Sequence, residues 1–222
     1  MPDLNSKLYV VIGLGNFGTA VATTIANAGV DVIVVDKDPL AVQEIAEVVP
    51  HAVCADSRDI EMLKEAGVRD ADVAILSMGS SLEASVITIL NLKELGVPTI
   101  IAKANNERYK FVMESIGADT VIQPENEMGQ RVGISLINPK ITDIYQVTSD
   151  FIIMEIKVPE LWQGRKISEL NLREIYGVNI IGIRKEDTKK VDININKDTI
   201  LTAQDYLTIA ADATRIAALN LD

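Results

Sequence analysis

Gly13, Gly15 and Gly18, spaced G-x-G-x-x-G, are the residues whose type and spacing point most directly to chemistry. They follow the apolar run Tyr9-Val10-Val11-Ile12 and lead into an amphipathic helical pattern, so they read as a strand, a tight turn and a helix N-terminus. Each glycine has a task in that geometry. Gly13 permits the turn, Gly15 lets a pyrophosphate approach the backbone, and Gly18 lets the helix pack closely on the strand. The unpaired N–H groups at the helix start would face the phosphates. A second apolar run, Val32 to Val35, ends in Asp36, where an acidic side chain would hydrogen-bond ribose hydroxyls and repel a 2′-phosphate. The plainer alternative makes the glycines turn formers and Asp36 the solvated end of a strand.

Other chemistry is missing. The only histidine, His51, falls at the start of a strand, and none of the five tyrosines is followed four residues later by lysine. Thr19 stands where a P-loop would carry its phosphate-binding lysine. A nucleotide site with no evident catalytic group beside it suggests a sensor, whose ligand acts by shifting a conformational equilibrium. The competing class is an NAD-dependent oxidoreductase, which would have to turn over reduced cofactor.

The elements that must position these residues alternate. The stripe Phe17, Val21, Ile25 predicts a first helix ending near Gly29. Asp38-Pro39 caps a second helix, and Pro50 stops it before the strand His51–Cys54. Asp56 and Ser57 follow that strand at the edge where ligands bind, although Ser57 or Asp59 also suits as the cap of the helix carrying Ile60 and Leu63. The strand Val73–Leu76 leads through Met78-Gly79 to a helix from Leu82 to Leu95, with Ser80 and Glu83 as a capping box. Pro98 to Ala102 is the fifth strand, with Lys103 at its carboxyl end. A helix from about Glu107, carrying Phe111, Val112 and Ile116, precedes a sixth strand from Asp119 to Ile122. Six strand–helix alternations predict an α/β, Rossmann-like, doubly wound parallel sheet.

Pro124 opens a crossover helix over about 124–137, with Met128, Val132 and Leu136 on one stripe and Gly129 and Gly133 beside it. This suits dimerisation, domain crossing or packing on its own domain. Residues 1–138 form the first domain in this reading, and residues 139–222 a second, smaller α+β ligand-binding domain. There Phe151 to Val158 moves into apolar–polar alternation, and a helical segment runs from Ile167 to Tyr176. Short strands are expected at Val178 to Ile183, Val191 to Ile195 and Tyr206 to Ala211.

With 48% hydrophobic and 24% charged residues, 222 residues can build a real core. A formal net charge of -11 argues against non-specific nucleic-acid binding. The single cysteine, Cys54, rules out an internal disulfide and any cysteine-cluster metal site. The first residues lack a secretory pattern, and no apolar stretch approaches a membrane span, so the expectation is a cytoplasmic protein without direct membrane insertion.

Taken in order, Val11 to Gly18, Val35-Asp36, Ala55-Asp56-Ser57, Met78-Gly79, Glu83-Ala84-Ser85, Ala102-Lys103-Ala104, Ile116 to Asp119 and Pro124-Glu125 resemble the RCK/KTN family. These are cytosolic regulatory subunits and gating-ring domains of bacterial potassium uptake systems. The later stretch, including Leu170 to Arg173 and Tyr176 to Ile180, looks like the family's C-terminal ligand-binding domain. The resemblance implies a homodimer assembling into an octameric ring that docks on a membrane potassium-translocating subunit. It implies regulation by ATP, ADP or NAD(H) at Gly13, Gly15, Asn16, Phe17, Gly18, Asp36, Lys37, Asp56, Ser57, Gly79 and Lys103. Glu125 is implied as a ligand for a divalent cation, and Ile167, Leu172, Arg173, Asn179 and Ile180 as contacts for cyclic di-AMP. Asn16 stands where several ATP-responding relatives carry arginine, and Asn171 replaces an aspartate of some cyclic di-AMP binders.

Overall fold

Apolar runs too continuous for a half-solvated sheet must be covered on both faces, and the first half of the chain is built that way. Its strands are β1 (Tyr9–Ile12), β2 (Val32–Asp36), β3 (His51–Cys54), β4 (Val73–Leu76), β5 (Thr99–Lys103) and β6 (Thr120–Ile122). All pair in parallel, in the order β3-β2-β1-β4-β5-β6. The computed structural model describes residues 7–79, 81–148 and 150–212. Contacts divide the chain into two compact units, residues 1–126 and 127–222.

Alternation along the strands separates two cores in the first unit. Val10, Ile12, Ile33 and Val35 meet Leu63, Ile89, Leu92 and Met113 on one face. Those partners come from α3 (Ile60–Glu65), α4 (Leu82–Glu94) and α5 (Glu107–Ser115). Val11 and Val34 meet Ala22 and Ile45 on the other, from α1 (Asn16–Asn27) and α2 (Pro39–Ile45). Each large side chain buried this way contributes roughly 1.5–3 kcal/mol before entropy is charged against it. The caps follow the sequence in part: Asp38 accepts from Leu40 N, and Asp59 from Glu61 N. Ser80 lies outside the described residues, and the cap of α4 is Ser81, whose hydroxyl accepts from Ala84 N at 3.2 Å. On α5 the buried residue is Met113, at 0% exposure, while Phe111 of the expected stripe is 71% exposed.

Helix α6 (Pro124–Ile137) straddles the division between the units. Within the second unit its Arg131 pairs with Asp143 at 2.6 Å and lies 3.8 Å over the Tyr145 ring, and Ile134 packs on that unit's core. Asp143 and Tyr145 lie on β7 (Ile141–Gln146), a strand the sequence pattern did not flag. The others are β8 (Phe151–Lys157), β9 (Asn179–Lys185), β10 (Val191–Asp192) and β11 (Asp205–Asp212), in an antiparallel sheet of order β10-β9-β11-β8-β7. Period-two alternation sends Ile152, Met154 and Ile156 inward beside Leu207, Ile209 and Ala211. The opposite face is polar, where Arg184 binds Glu155 at 2.7 Å and stacks 4.2 Å from the Tyr206 ring.

Two expectations need correcting here. The segment 167–176 is two short helices, α7 (Ile167–Leu170) and α8 (Leu172–Tyr176), broken where Asn171 takes φ 44°. Asparagine tolerates that left-handed turn better than most residues. The strand expected over Val191 to Ile195 is only Val191–Asp192, paired with Arg184 and Ile183 of β9.

Candidate functional site

Strands β1 and β4 are neighbours, yet the chain leaves them toward opposite faces of the sheet, which opens a crevice at their carboxyl ends. A cavity of about 630 Å³ occupies that edge. Of the residues singled out from sequence, Gly13, Gly15, Asp36, Lys37, Asp56, Ser57, Gly79, Lys103 and Glu125 line it.

The glycine turn is shaped as its spacing implies. Gly13 sits at φ +96° and donates from its N–H to Val35 O at 2.8 Å. A Cβ on Gly18 would fall 1.9 Å from Gly13 O, so α1 approaches the turn closer than any side chain allows. A Cβ on Gly15 would meet nothing within 4 Å, which leaves its backbone open to the cavity. Gly15 is also the N-cap of α1 and supplies no side-chain hydrogen bond to the helix's first N–H groups. Asn16, Phe17 and Gly18 are not part of the wall: Asn16 is the first residue of α1, Phe17 packs on the core beneath it, and Gly18 is buried.

Asp36 is tied to this turn. Its Oδ2 accepts from Leu14 N at 2.5 Å and its Oδ1 from Asp38 N at 2.8 Å, so the carboxylate holds the glycine loop and faces the cavity. At the β3 end Asp56 accepts from Arg58 Nη2 at 2.6 Å, and this guanidinium holds its carboxyl down at about 2. The Ser57 hydroxyl is 2.8 Å from Thr88 Oγ1 and is engaged inside the fold. At the far end Lys103, its side chain 13% exposed, pairs with the 66% exposed Glu125. That hydrogen bond holds the Glu125 carboxyl below its ordinary range.

Three wall residues escaped the sequence reading. Arg58 is visible only as a basic residue two positions after Asp56. Asn105 donates to Gly79 O at 2.5 Å, and a Cβ on Gly79 would lie 2.2 Å from its Oδ1, so any side chain there would have to displace Asn105. Ser77 Oγ is buried with no hydrogen-bond partner among the described residues, a cost a ligand or water would relieve. The open glycine backbone, the acidic residue beside it and this orphan hydroxyl fit a phosphate-bearing nucleotide.

Comparisons with known proteins agree with that architecture. The TrkA-N domain family matches residues 9–124, and the TrkA-C domain family matches residues 152–220. Ktr system potassium uptake protein C of Bacillus subtilis (strain 168) is 33% identical over 211 residues, 95% of this chain and 95% of the relative. The GsuK RCK domain superposes with a TM-score of 0.66 at 19% identity over 99% of this chain. The chain belongs to the TrkA-N/TrkA-C domain family, which it shares with the Ktr potassium uptake proteins. A GsuK channel bound to NAD has the same TM-score of 0.66 and 19% identity, also over 99% of this chain. At that identity both GsuK structures speak for the fold alone, and the chain spans 48% and 40% of their lengths.

In the second unit the five residues expected to hold a ligand divide between the core and the surface. Leu172 is 5% exposed and belongs to the core, with Ile167 and Ile180 packed against it. Arg173 and Asn179 are exposed. A smaller cavity of about 210 Å³ in this unit is lined by other residues, among them Lys185, Asp192 and Asn194. Among the described residues no group of three or more His, Cys, Asp or Glu side chains could hold a metal ion. No described helix is long and apolar enough to cross a membrane.

Proposed function

We propose that this chain is a regulatory subunit that gates a membrane potassium transporter in response to an adenine nucleotide, ATP/ADP or NAD(H), and that it is not an enzyme. The observation that carries the reading is the cavity at the β1/β4 switch point, floored by an open glycine turn and flanked by Asp36. Pyrophosphate would lie on the Gly13–Gly18 turn and the α1 N-terminus, with ribose on Asp36 and the base toward Asp56. The remaining part of the ligand would extend toward Lys103. A terminal phosphate there competes with Glu125 for the ammonium, and a freed Glu125 could share a divalent cation with that phosphate. Glu125 lies in the first turn of α6, so ligand charge at this end acts on the helix that straddles the two units.

The same reading gives residues 1–138 to nucleotide binding and residues 139–222 to a second ligand, cyclic di-AMP, at Ile167, Leu172, Arg173, Asn179 and Ile180. Those residues would need a second copy of the chain to complete an enclosure, which suits a homodimer assembling to an octameric ring. The Ktr and TrkA relatives, named as potassium uptake proteins, support a membrane potassium-translocating partner and a cytoplasmic location at the inner face of the membrane.

The test is calorimetric titration of the full chain and of Gly15→Asp with ATP, ADP, NADH and cyclic di-AMP. Because a side chain at Gly15 enters open space, the variant should fold, lose the adenine nucleotides and keep cyclic di-AMP. Unchanged nucleotide affinity in the folded variant would sink the site. Steady oxidation of NADH with some acceptor would favour the oxidoreductase reading instead.

A further inference from the structure

The β3 end of the cavity is where the proposed nucleotide would place its base, and its wall is the loop Ala55–Asp59. This loop is fixed before any ligand arrives. Asn91 Nδ2 donates to Ser57 O at 3.1 Å and to Arg58 O at 3.0 Å, Asp59 N donates to Asp56 O at 2.9 Å, and Asp59 caps α3.

Two of its polar side chains are already used. The Ser57 hydroxyl is engaged by Thr88. The Asp56 carboxylate accepts from Arg58 N at 3.0 Å, from Arg58 Nε at 3.0 and 3.1 Å, and from Nη2 at 2.6 Å. What the loop still offers is the Arg58 guanidinium itself. It lines the cavity, its side chain is 50% exposed, and Nη1 makes no hydrogen bond among the described residues. A guanidinium clamped along one edge by a carboxylate keeps its plane fixed and has its charge balanced locally, so a neutral aromatic ring can lie on it at little desolvation cost.

We infer that Arg58 is a base platform: the adenine ring stacks on its guanidinium, and this contact favours a purine over a pyrimidine nucleotide. The inference rests on the nucleotide reading of this cavity and adds the residue that selects the base. The two-ring purine covers more of the plane than a pyrimidine does, and the stacked cation gains from the larger π-system.

The experiment is titration of the full chain with ADP and with CDP, which share ribose and diphosphate and differ in the base. The wild type is compared with Arg58→Ala and Arg58→Lys, with folding checked by circular dichroism. Arg58→Ala should weaken ADP about threefold to tenfold and CDP less than about twofold. Arg58→Lys should fail to restore the preference, because an ammonium has the charge without the plane. An equal loss for ADP and CDP, unchanged ADP affinity in Arg58→Ala, or full rescue by lysine would overturn the platform and leave the nucleotide site standing. If the wild type binds neither of these nor ATP nor NADH, the nucleotide reading falls and the platform falls with it.

Discussion

The two units bury similar aliphatic side chains, yet one gathers its expected ligand residues around a cavity of about 630 Å³ and the other divides them between its core and its surface. The difference is sheet direction. Parallel strands deliver every carboxyl end to one edge, so Gly13, Asp36, Asp56, Gly79 and Lys103, each just after or at the end of a different strand, meet there. Antiparallel strands send alternate ends to opposite edges. Leu172, Arg173 and Asn179 thus sit at a helix start and a strand start, the first in the core and the others exposed.

The contrast is broken most forcefully at Gly18. A Cβ there falls 1.9 Å from a backbone oxygen, so Gly18→Ala should cost the first unit more than about 3 kcal/mol, as overpacking against backbone does at its upper end. The sole tryptophan, Trp162, lies in the second unit's core and reports on that unit. Far-ultraviolet circular dichroism should therefore show an early transition while Trp162 fluorescence keeps its midpoint. A joint shift of both signals would mean that the units unfold as one.

Next in size is Leu172→Ala, which should destabilise the second unit by roughly 2–4 kcal/mol on Trp162 fluorescence in urea. Its exposed neighbour Arg173→Ala should stay within about 0.5 kcal/mol. Equal, small effects at both positions would show that Leu172 is a pocket wall after all and that the second unit is less closed than its core implies.

A smaller effect sharpens the first unit's side of the comparison. Glu125→Gln frees the Lys103 ammonium for an anionic ligand, so ADP affinity should rise about twofold to fivefold, close to what an exposed ion pair is worth. Weakened ADP binding in that variant would place Glu125 among the groups that attract the ligand.

The smallest effect concerns pH. Asp56 ionises at about 2 in the fold against an ordinary value of 3.8, so its pairing with Arg58 contributes fully above the unfolded value and is lost as pH falls through the folded one. With the Asp56 side chain 38% exposed, solvent screening keeps this under about 1 kcal/mol. The stability gap between wild type and Asp56→Asn should be present at pH 6 and gone near pH 2. A gap that persists at the lower pH would have a cause other than this charge pair.

Much of the first unit was legible because its signals are local. Glycine spacing, Asp38-Pro39 and the runs Val32–Val35 and Val73–Leu76 each dictate backbone conformation within a few residues, and the alternation of strand and helix follows from them. Helix faces were less legible. On α5 Phe111 belongs to an apolar stripe and still points to solvent, because Met113, two residues on and so on the opposite helix face, is the one turned to the sheet. In the second unit β7 was missed and the 167–176 helix read as one, since Thr142, Asp143 and Gln146 dilute the strand pattern and one left-handed asparagine carries the break.

The sequence by itself determined the glycine turn, the acidic residue after β2 and the order of elements, because these depend on backbone freedom and on apolar periodicity, both written locally. Only the tertiary structure decided what the charges do. Asp56 is taken by Arg58, Lys103 by Glu125 and Asp36 by the Leu14 N–H, and Ser77 is left without a partner among the described residues. Most of those pairings join residues that are distant along the chain. They form because six parallel strands end at one edge, where each polar group must find a partner or wait for one.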